Sequence, residues 1–480
     1  MGRGTQPGHV LARNRSGAVN GPRVTVVGGG LAGITAALHC ARSGARVTLL
    51  ESRGRLGGAA YSFTRDGIRA DNGQHVFLRC CTEYRALISE LEADDLITVQ
   101  PRLEIPVLAP GGRRAWLRRS GLPAPLHLAG SLVRYPYLNL RERVSVARAM
   151  QKLGKVDTDD PANDRRSFGD WLHEQRQGAA ALETIWSLIA KPTLNLRVED
   201  ASLAQAAQVF QLGLLQDAAA GDIGHARVPL SEIHDVAARR ALARAAVDVR
   251  LRRGATAIVP RSGGFCVEAN GSPTLETDVV ILAVPVDRAA RLLPAQARVD
   301  PRTFSGLGRS PIVNLHVRYD RRVLDVPFAA GVHTPVQWVF DRTEGAGLAS
   351  GQYLAVSLSA ADDELSDTAD DLRDRYLPAL AELLPAARDA AVEGFFVTRE
   401  HSATFRAAPG VRALRPGART ELPGLVLAGS WTDTGWPATM EGAVRSGQVA
   451  GREALRTQPA PVLTATSNGQ PAPQLAGRTV

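Results

Sequence analysis

Two periodicities alternate along the chain. Residues 24–27 form a short apolar run rich in β-branched side chains, which predicts a buried strand. A glycine-rich turn follows, and apolar residues then recur at helical spacing through Ala41. A second apolar run over residues 45–50 ends on Glu51, so the opening pattern is strand, helix, strand. Helical spacing takes over at residues 83–100, continues through 141–160, 167–174 and 200–220, and is broken where Lys191 meets Pro192. Alternation returns at Val247, Val249 and Leu251, and residues 279–284 read as another buried strand. Residues 310–320 alternate with Val313, Leu315, Val317 and Tyr319 on one face. Further strands are expected at 337–340, 352–358, 393–405 and 424–428, with a polar helical stretch over 363–390. Strands that leave and return around a long helical insertion predict an α/β chain with a discontinuous second region.

Composition changes this picture little. The chain has 480 residues, and a hydrophobic fraction of 44% is that of a globular protein. The net charge of +9 suggests nucleic acid until it is located. Residues 1–23 carry Arg3, Arg13, Arg15 and Arg23, and residues 456–480 carry Arg456 and Arg478, with no acids in either stretch. Those tails account for +6 of the +9, which leaves +3 for the body and argues against a nucleic-acid partner. Cys40, Cys80, Cys81 and Cys266 lack metal-ligand spacing and read as reduced thiols of a cytosolic protein; no metal site is expected. No secretory signal and no apolar run of spanning length is visible. Residues 1–22 and 456–480 read as a disordered leader and tail.

The chemistry is concentrated in three places. The first is Gly28-x-Gly30-x-x-Gly33, set between the first strand and the first helix. Gly28 makes the tight turn, Gly30 admits a pyrophosphate to the backbone, and Gly33 lets helix and strand pack closely. The helix N-terminus at Leu31 and Ala32 supplies free N–H groups and partial positive charge. Glu51, with Ser52 beside it, lies where a carboxylate accepts hydrogen bonds from a ribose diol. The fingerprint alone does not separate FAD from NAD. The second place is the polar loop Asp71-Asn72-Gly73-Gln74-His75, which follows a turn at Asp66-Gly67. It reads either as a plain polar turn or as a loop lining the pocket. The third is a strand running into Gly429-Ser430, then Pro437-Ala438-Thr439-Met440 and Glu441 at the start of a helix. Separately, Arg113, Arg114, Arg118 and Arg119 surround Trp116, ahead of an apolar, proline-broken stretch. That segment reads either as a membrane-facing surface or as an ordinary β-turn followed by a core-covering helix.

Gly54-Arg55-Leu56-Gly57-Gly58 resembles the extension found in FAD-dependent amine oxidases and phytoene desaturases. Together with residues 59–63, 71–78 and the Gly429 block, it resembles the hydroxysqualene dehydroxylases of hopanoid biosynthesis, members of the flavin amine oxidase superfamily. The resemblance covers residues 24 to about 455. It implies a Rossmann-like FAD-binding domain from residues 23–80, 245–300 and 395–455, and a mixed α+β substrate domain from 81–244 and 301–394, with an antiparallel sheet over the flavin. It also implies FAD contacts at Gly57 and Gly58, at Arg55 near the phosphates, and at residues 437–440 beside the pyrimidine end of the flavin. Two departures stand out: Ala59 where many relatives carry Arg, and Ser430 where they carry Asp. The implied reaction is reductive removal of the hydroxyl of hydroxysqualene, with His75, Asp71 or Glu441 as the acid. A carotenoid-type desaturase, a flavin amine oxidase and a non-catalytic lipid-carrying flavoprotein are the alternatives. The implied partners are a long isoprenoid, a membrane surface touched peripherally from the cytoplasmic side, and other enzymes of squalene and hopanoid synthesis.

Overall fold

The structure, a computed structural model, describes residues 21–456. The expected leader and tail therefore lie outside the described residues, except that residues 21–22 already run beside the first sheet, where Arg46 N donates to Pro22 O at 2.9 Å.

The opening pattern folds as β1 (Arg23–Val27), α1 (Leu31–Arg42) and β2 (Arg46–Glu51). Three later strands join them: β3 (Asp248–Leu251), β4 (Val279–Leu282) and β5 (Leu425–Leu427). The order is β3-β2-β1-β4-β5, with every neighbouring pair parallel. Val26, Leu49, Ile281 and Leu427 are fully buried, as expected for parallel strands covered on both faces. The last helix, α2 (Met440–Arg456), lies against α1. A Cβ at Gly447 would stand 2.3 Å from Ala32 O, so the helices approach to backbone contact at that glycine. This is the α/β, Rossmann-like architecture expected from the sequence.

A second, seven-stranded sheet runs in the order Val392–Thr404, Ser310–Tyr319, Gln352–Ser359, Trp338–Asp341, Phe328–Gly331, Glu104–Ala109 and Arg113–Arg118. All its pairs are antiparallel except Phe328–Gly331 with Glu104–Ala109. Val313, Leu315 and Val317 point into a core under helix Ala369–Leu383, which Thr368 and Asp371 start with a reciprocal capping box.

Two local readings need correction. The helix expected over 83–100 ends at Glu90; Glu92 turns left-handed at φ 57, and Ile97–Val99 is a strand paired with Ile223–Ala226. The run Glu92-Ala93-Asp94-Asp95 has too little apolar side chain to continue a buried face. Lys191-Pro192 does not break its helix, which continues over Leu188–Leu194 behind a π turn at Leu182–Ser187. The arginines around Trp116 sit on the edge hairpin of the large sheet, and three of the four have carboxylate partners. Arg114 pairs with Asp325 at 2.6 Å, Arg119 with Asp222 at 2.6 Å, and Arg118 with Glu104. Among the described residues, no helix is long and apolar enough to cross a membrane.

Candidate active site

β1 runs into Gly28, whose φ of +111 is open to glycine and closed to most other residues. A Cβ there would stand 2.3 Å from Ala283 O, on the chain leaving β4. Gly33 packs as closely: its Cβ would lie 1.8 Å from Gly28 O. Gly30 differs. It is the N-cap of α1 in extended backbone, and a Cβ on it would meet nothing nearer than Gly58 Cα at 3.7 Å. Gly30 and Gly58 thus bring two stretches of bare main chain into contact, a Cβ on Gly58 standing 2.8 Å from Gly30 Cα. The side of Gly30 where its own Cβ would lie is open and forms a main-chain cleft at the helix start. The first turn of α1 holds no side-chain cap and no acidic residue, so the N–H groups of Leu31, Ala32 and Gly33 are left for an anion.

Glu51 closes one end of this cleft. Its Oε2 accepts from Gly29 N at 2.7 Å, and its Oε1 accepts from Arg53 N at 2.7 Å and Ser52 Oγ at 3.1 Å. Three donors fix the carboxylate and leave acceptor capacity for a hydroxyl. Arg55 lies 3.5 Å over the Tyr61 ring and donates to Leu56 O and Gly58 O, so it shapes the double-glycine turn as well as lending charge. Burial lowers its pKa. Ala59 contributes its carbonyl, which accepts from Asn72 Nδ2 at 2.8 Å.

At the other end, β5 leads into Gly429 at φ 141, where a Cβ would strike Trp431 Nε1 at 2.6 Å. Gly429 N donates to Ser446 Oγ of α2, and Trp431 Nε1 donates to Val284 O beyond β4. Pro437 does not enter the helical turn. The helix begins at Met440, with Thr439 Oγ1 accepting from Gly442 N at 3.1 Å, and Pro437-Ala438 lead into it. Arg415 lies beneath this block, buried, donating to the carbonyls of Ser430 and Thr432. Burial pulls its pKa down to about 10, and its Nε and Nη1 have no partner among the described residues.

The polar loop is built rather than loose. The carbonyl of Asn72 accepts from Asn314 Nδ2 and Thr398 Oγ1, both on the large sheet, and its side chain spans Tyr61 N, Ala59 O and Glu400. Asp71 accepts from Ser62 Oγ at 2.6 Å, Leu230 N at 3.0 Å and Arg342 Nη2 at 2.9 Å. His75 Nδ1 donates to Gly73 O at 2.9 Å, since a carbonyl only accepts, and its Nε2 has no partner among the described residues. Burial lowers the His75 pKa, against an opposing pull from Gly73 O, Asp71 and Glu400. Asp71, His75, Gln74, His225, Phe328 and Arg342 border one small cavity between this loop and the large sheet.

The third acid candidate is elsewhere. Glu441 accepts from Glu83 N, Tyr84 N and Arg445 Nε, so it caps helix Thr82–Glu90 from the first turn of α2. Burial raises its pKa, while those three donors oppose the rise.

Sequence reasoning missed Arg342, Arg415, Asn314 and Glu400. For Asn314 a signal was present: it and His316 alternate with Val313, Leu315 and Val317, yet both are as buried as the apolar face. A strand buried on both sides with one side polar marks that side as facing a site. Gln74 Nε2, Asn314 Oδ1, Thr434 Oγ1 and the two Arg415 nitrogens are buried without partners. They border the same loop and the Gly429 block, and they suit a polar heteroaromatic ring system. With a main-chain cleft for a pyrophosphate and a carboxylate for a ribose, the donor set fits FAD. Among the described residues, no group of three or more His, Cys, Asp or Glu is placed to hold a metal.

The fold and cleft define an FAD-dependent oxidoreductase. The family model "Flavin containing amine oxidoreductase" matches residues 31–455, and the chain belongs to that family. It is similar to hydroxysqualene dehydroxylase of Rhodopseudomonas palustris, 29% identical over 89% of this chain and 97% of the relative. It is also similar to zeta-carotene desaturase of Arabidopsis thaliana, 25% identical over 89% of this chain and 84% of the relative. Among solved structures, a putrescine oxidase double mutant superposes with a TM-score of 0.70 at 20% identity, over 91% of this chain and 99% of the other.

Proposed function

We propose that this chain reductively removes the hydroxyl of hydroxysqualene to give squalene. The observation that carries the reading is the end-to-end similarity to a hydroxysqualene dehydroxylase, over 97% of that protein's length. Bound reduced FAD supplies a hydride. The balance is simple: the allylic C–O bond breaks with one proton added to the departing oxygen, water leaves, and the allylic carbon gains the hydride. The chain must hold the polyene, exclude water and deliver that proton.

His75 is our choice for the proton. Its Nδ1 is fixed by Gly73 O, so protonation adds an N–H at Nε2, the nitrogen with no partner among the described residues. Asp71 has its oxygens taken up by Ser62, Leu230 and Arg342, and it anchors the loop. Glu441 is committed to helix Thr82–Glu90. In this reading residues 23–80, 245–300 and 395–455 carry the cofactor, through the cleft at Gly28, Gly30, Gly33, Gly57 and Gly58 and the block at 429–440, and the remainder carries the substrate. The substrate partitions into bilayers, so peripheral contact with the inner face of a membrane, and hand-over from neighbouring enzymes of squalene and hopanoid synthesis, belong to the same proposal. The likeness to zeta-carotene desaturase favours one alternative, hydride transfer in the opposite direction from a polyene.

One anaerobic experiment separates them. The protein is reduced with dithionite, freed of excess reductant and given hydroxysqualene, while flavin absorbance is followed and lipids are extracted. Return of the oxidised spectrum with squalene formed supports the dehydroxylase. No reoxidation, with bleaching of the oxidised protein by a carotenoid precursor, supports the desaturase.

A further inference from the structure

Among the described residues, the large apolar side chains left exposed are Val76, Leu122, Leu126, Val133, Leu140 and Val144. All but Val76 fall within residues 122–144, at exposures of 51%, 56%, 67%, 73% and 43% in chain order. They lie on a short turn at Leu126–Leu128, helix Ala129–Arg134 and helix Leu140–Leu153. Leu140 and Val144 are one turn apart on the outer face of the longer helix, whose inner face buries Val146, Ala149 and Leu153. Arg143 Nη1 donates to Val133 O at 2.5 Å and ties the end of one helix to the first turn of the next. The group is mounted on the edge of the large sheet, where Arg118 N donates to Ser131 Oγ and Tyr137 OH donates to Val107 O. Water-facing leucines and valines gathered on a rigid mount mark an interaction surface.

Charge identifies the partner. Residues 105–156 contain ten Lys and Arg and a single acid, Glu142. Their net +9, ten minus one, equals that of the whole chain, so the remaining residues sum to zero. Glu142 is used in the capping box with Asn139. Arg114, Arg118 and Arg119 have carboxylate partners, but Arg113, Arg134, Arg141 and Arg148 are exposed and have none among the described residues. Exposed aliphatic pegs on the same segment as uncompensated, exposed guanidinium groups match an interface with acyl chains below and anionic headgroups above. A nucleic acid would be met by the cations alone and leave the aliphatic side chains in water.

We propose that the face formed by residues 122–148 docks the protein on anionic lipid bilayers, with Leu126, Val133 and Leu140 inserted and Arg134 and Arg141 at headgroup level. The docking face is read from exposure and charge; it is the surface for the membrane contact included in the proposed function, and failure of this surface to bind lipid leaves the reaction to be tested on its own.

The test uses the full chain with bound FAD in vesicle flotation. Vesicles of phosphatidylcholine alone are compared with vesicles containing phosphatidylglycerol, and wild type with Leu126→Glu/Val133→Glu/Leu140→Glu and with Arg134→Glu/Arg141→Glu. Wild type should float with the anionic vesicles and not with the neutral ones, and added salt should weaken it. Each variant should lose roughly tenfold or more of this binding while keeping its circular dichroism and flavin content. Because the altered side chains face solvent, a folded variant is the expected product; one without flavin is replaced by the corresponding Ser substitutions. Failure of wild type to float on anionic vesicles overturns the proposal. So does unchanged flotation of the triple variant, which would shift binding to the basic termini. A wild-type dimer that the triple variant dissociates, without flotation, would make the face a protein interface instead.

Discussion

Gly30 offers the sharpest check of the cofactor cleft, because the structure separates its role from those of its neighbours. Replacing it with alanine places a Cβ whose nearest neighbour, Gly58 Cα, is 3.7 Å away, an ordinary contact. The backbone at Gly30 is extended, so alanine adopts it without strain. Loss of freedom in the unfolded chain favours alanine by about 0.4–1 kcal/mol. Its weakness as an N-cap costs a similar amount. The apoprotein of Gly30→Ala should therefore melt within about 2–4 °C of wild type. Its FAD binding should not survive so well, because the methyl group fills the open space beside the free N–H groups of the helix start. Losing a partly buried helix-terminus interaction with an anion costs up to about 2 kcal/mol, roughly thirtyfold in Kd. Gly33→Ala is the contrast: its Cβ would lie 1.8 Å from Gly28 O, so the apoprotein itself must rearrange. Melting curves of the two apoproteins and fluorescence titrations with FAD read both quantities. A Gly30→Ala protein that binds FAD as wild type does, or whose apo form melts as low as that of Gly33→Ala, would refute the placement of the pyrophosphate in this cleft.

Other outcomes follow from the site and the core. His75→Gln should keep FAD yet slow single-turnover dehydroxylation by about a hundredfold or more, and an unchanged rate would remove His75 as the proton source. The wild-type rate should fall as pH rises through a value below the ordinary 6.5 of histidine, since burial lowers that group and only its protonated form donates; a rate that rises over the same range would contradict the assignment. Arg342→Met leaves Asp71 buried beside no cation and should cost about 3–5 kcal/mol in urea unfolding; adding Asp71→Asn should recover part of it, and a double variant weaker than the single one would count against the pairing. Burial holds His234 at about 4 and His316 at about 3, so each is neutral in the fold. Their contribution is complete above pH 6.5 and is lost on acidification toward those values, on the order of 3 kcal/mol for His234. Urea midpoints that stay flat between pH 7 and about pH 4.5 would argue against buried neutral histidines.

What could be read from the sequence was local chemistry. The turn at Gly28, Gly30 and Gly33, the acid at Glu51 and the strand running into Gly429 each state their geometry within a few residues, and each sits at an end of the parallel sheet. The alternation of Val313, Leu315 and Val317 likewise exposed a sheet strand. What stayed hidden depends on distant partners. Arg342 matters because it meets Asp71, 271 positions away in the chain. Glu441 has the acidity and position of a catalytic group, yet its neighbours across the fold are the amides of Glu83 and Tyr84. The arginines around Trp116 gave a charge signal that the sequence could not apportion: three are neutralised by carboxylates from other segments, while Arg113 and the arginines further along the chain are not.

The interleaving of the parallel sheet also bears on synthesis. β1 and β2 are made early, but β4 joins β1 only after residue 282, and β5 and the start of α2 come from residues 425–440. Until the ribosome has passed these last segments, the nascent chain holds a glycine-walled cleft open on one side, with no complete seat for a flavin. Sheet closure is then a long-range event that waits for nearly the whole polypeptide, and cofactor capture is coupled to the end of translation. A chain interrupted anywhere before its last helix would be colourless as well as shortened, and free flavin in the cell would act as a late template that locks the two ends of the sequence together.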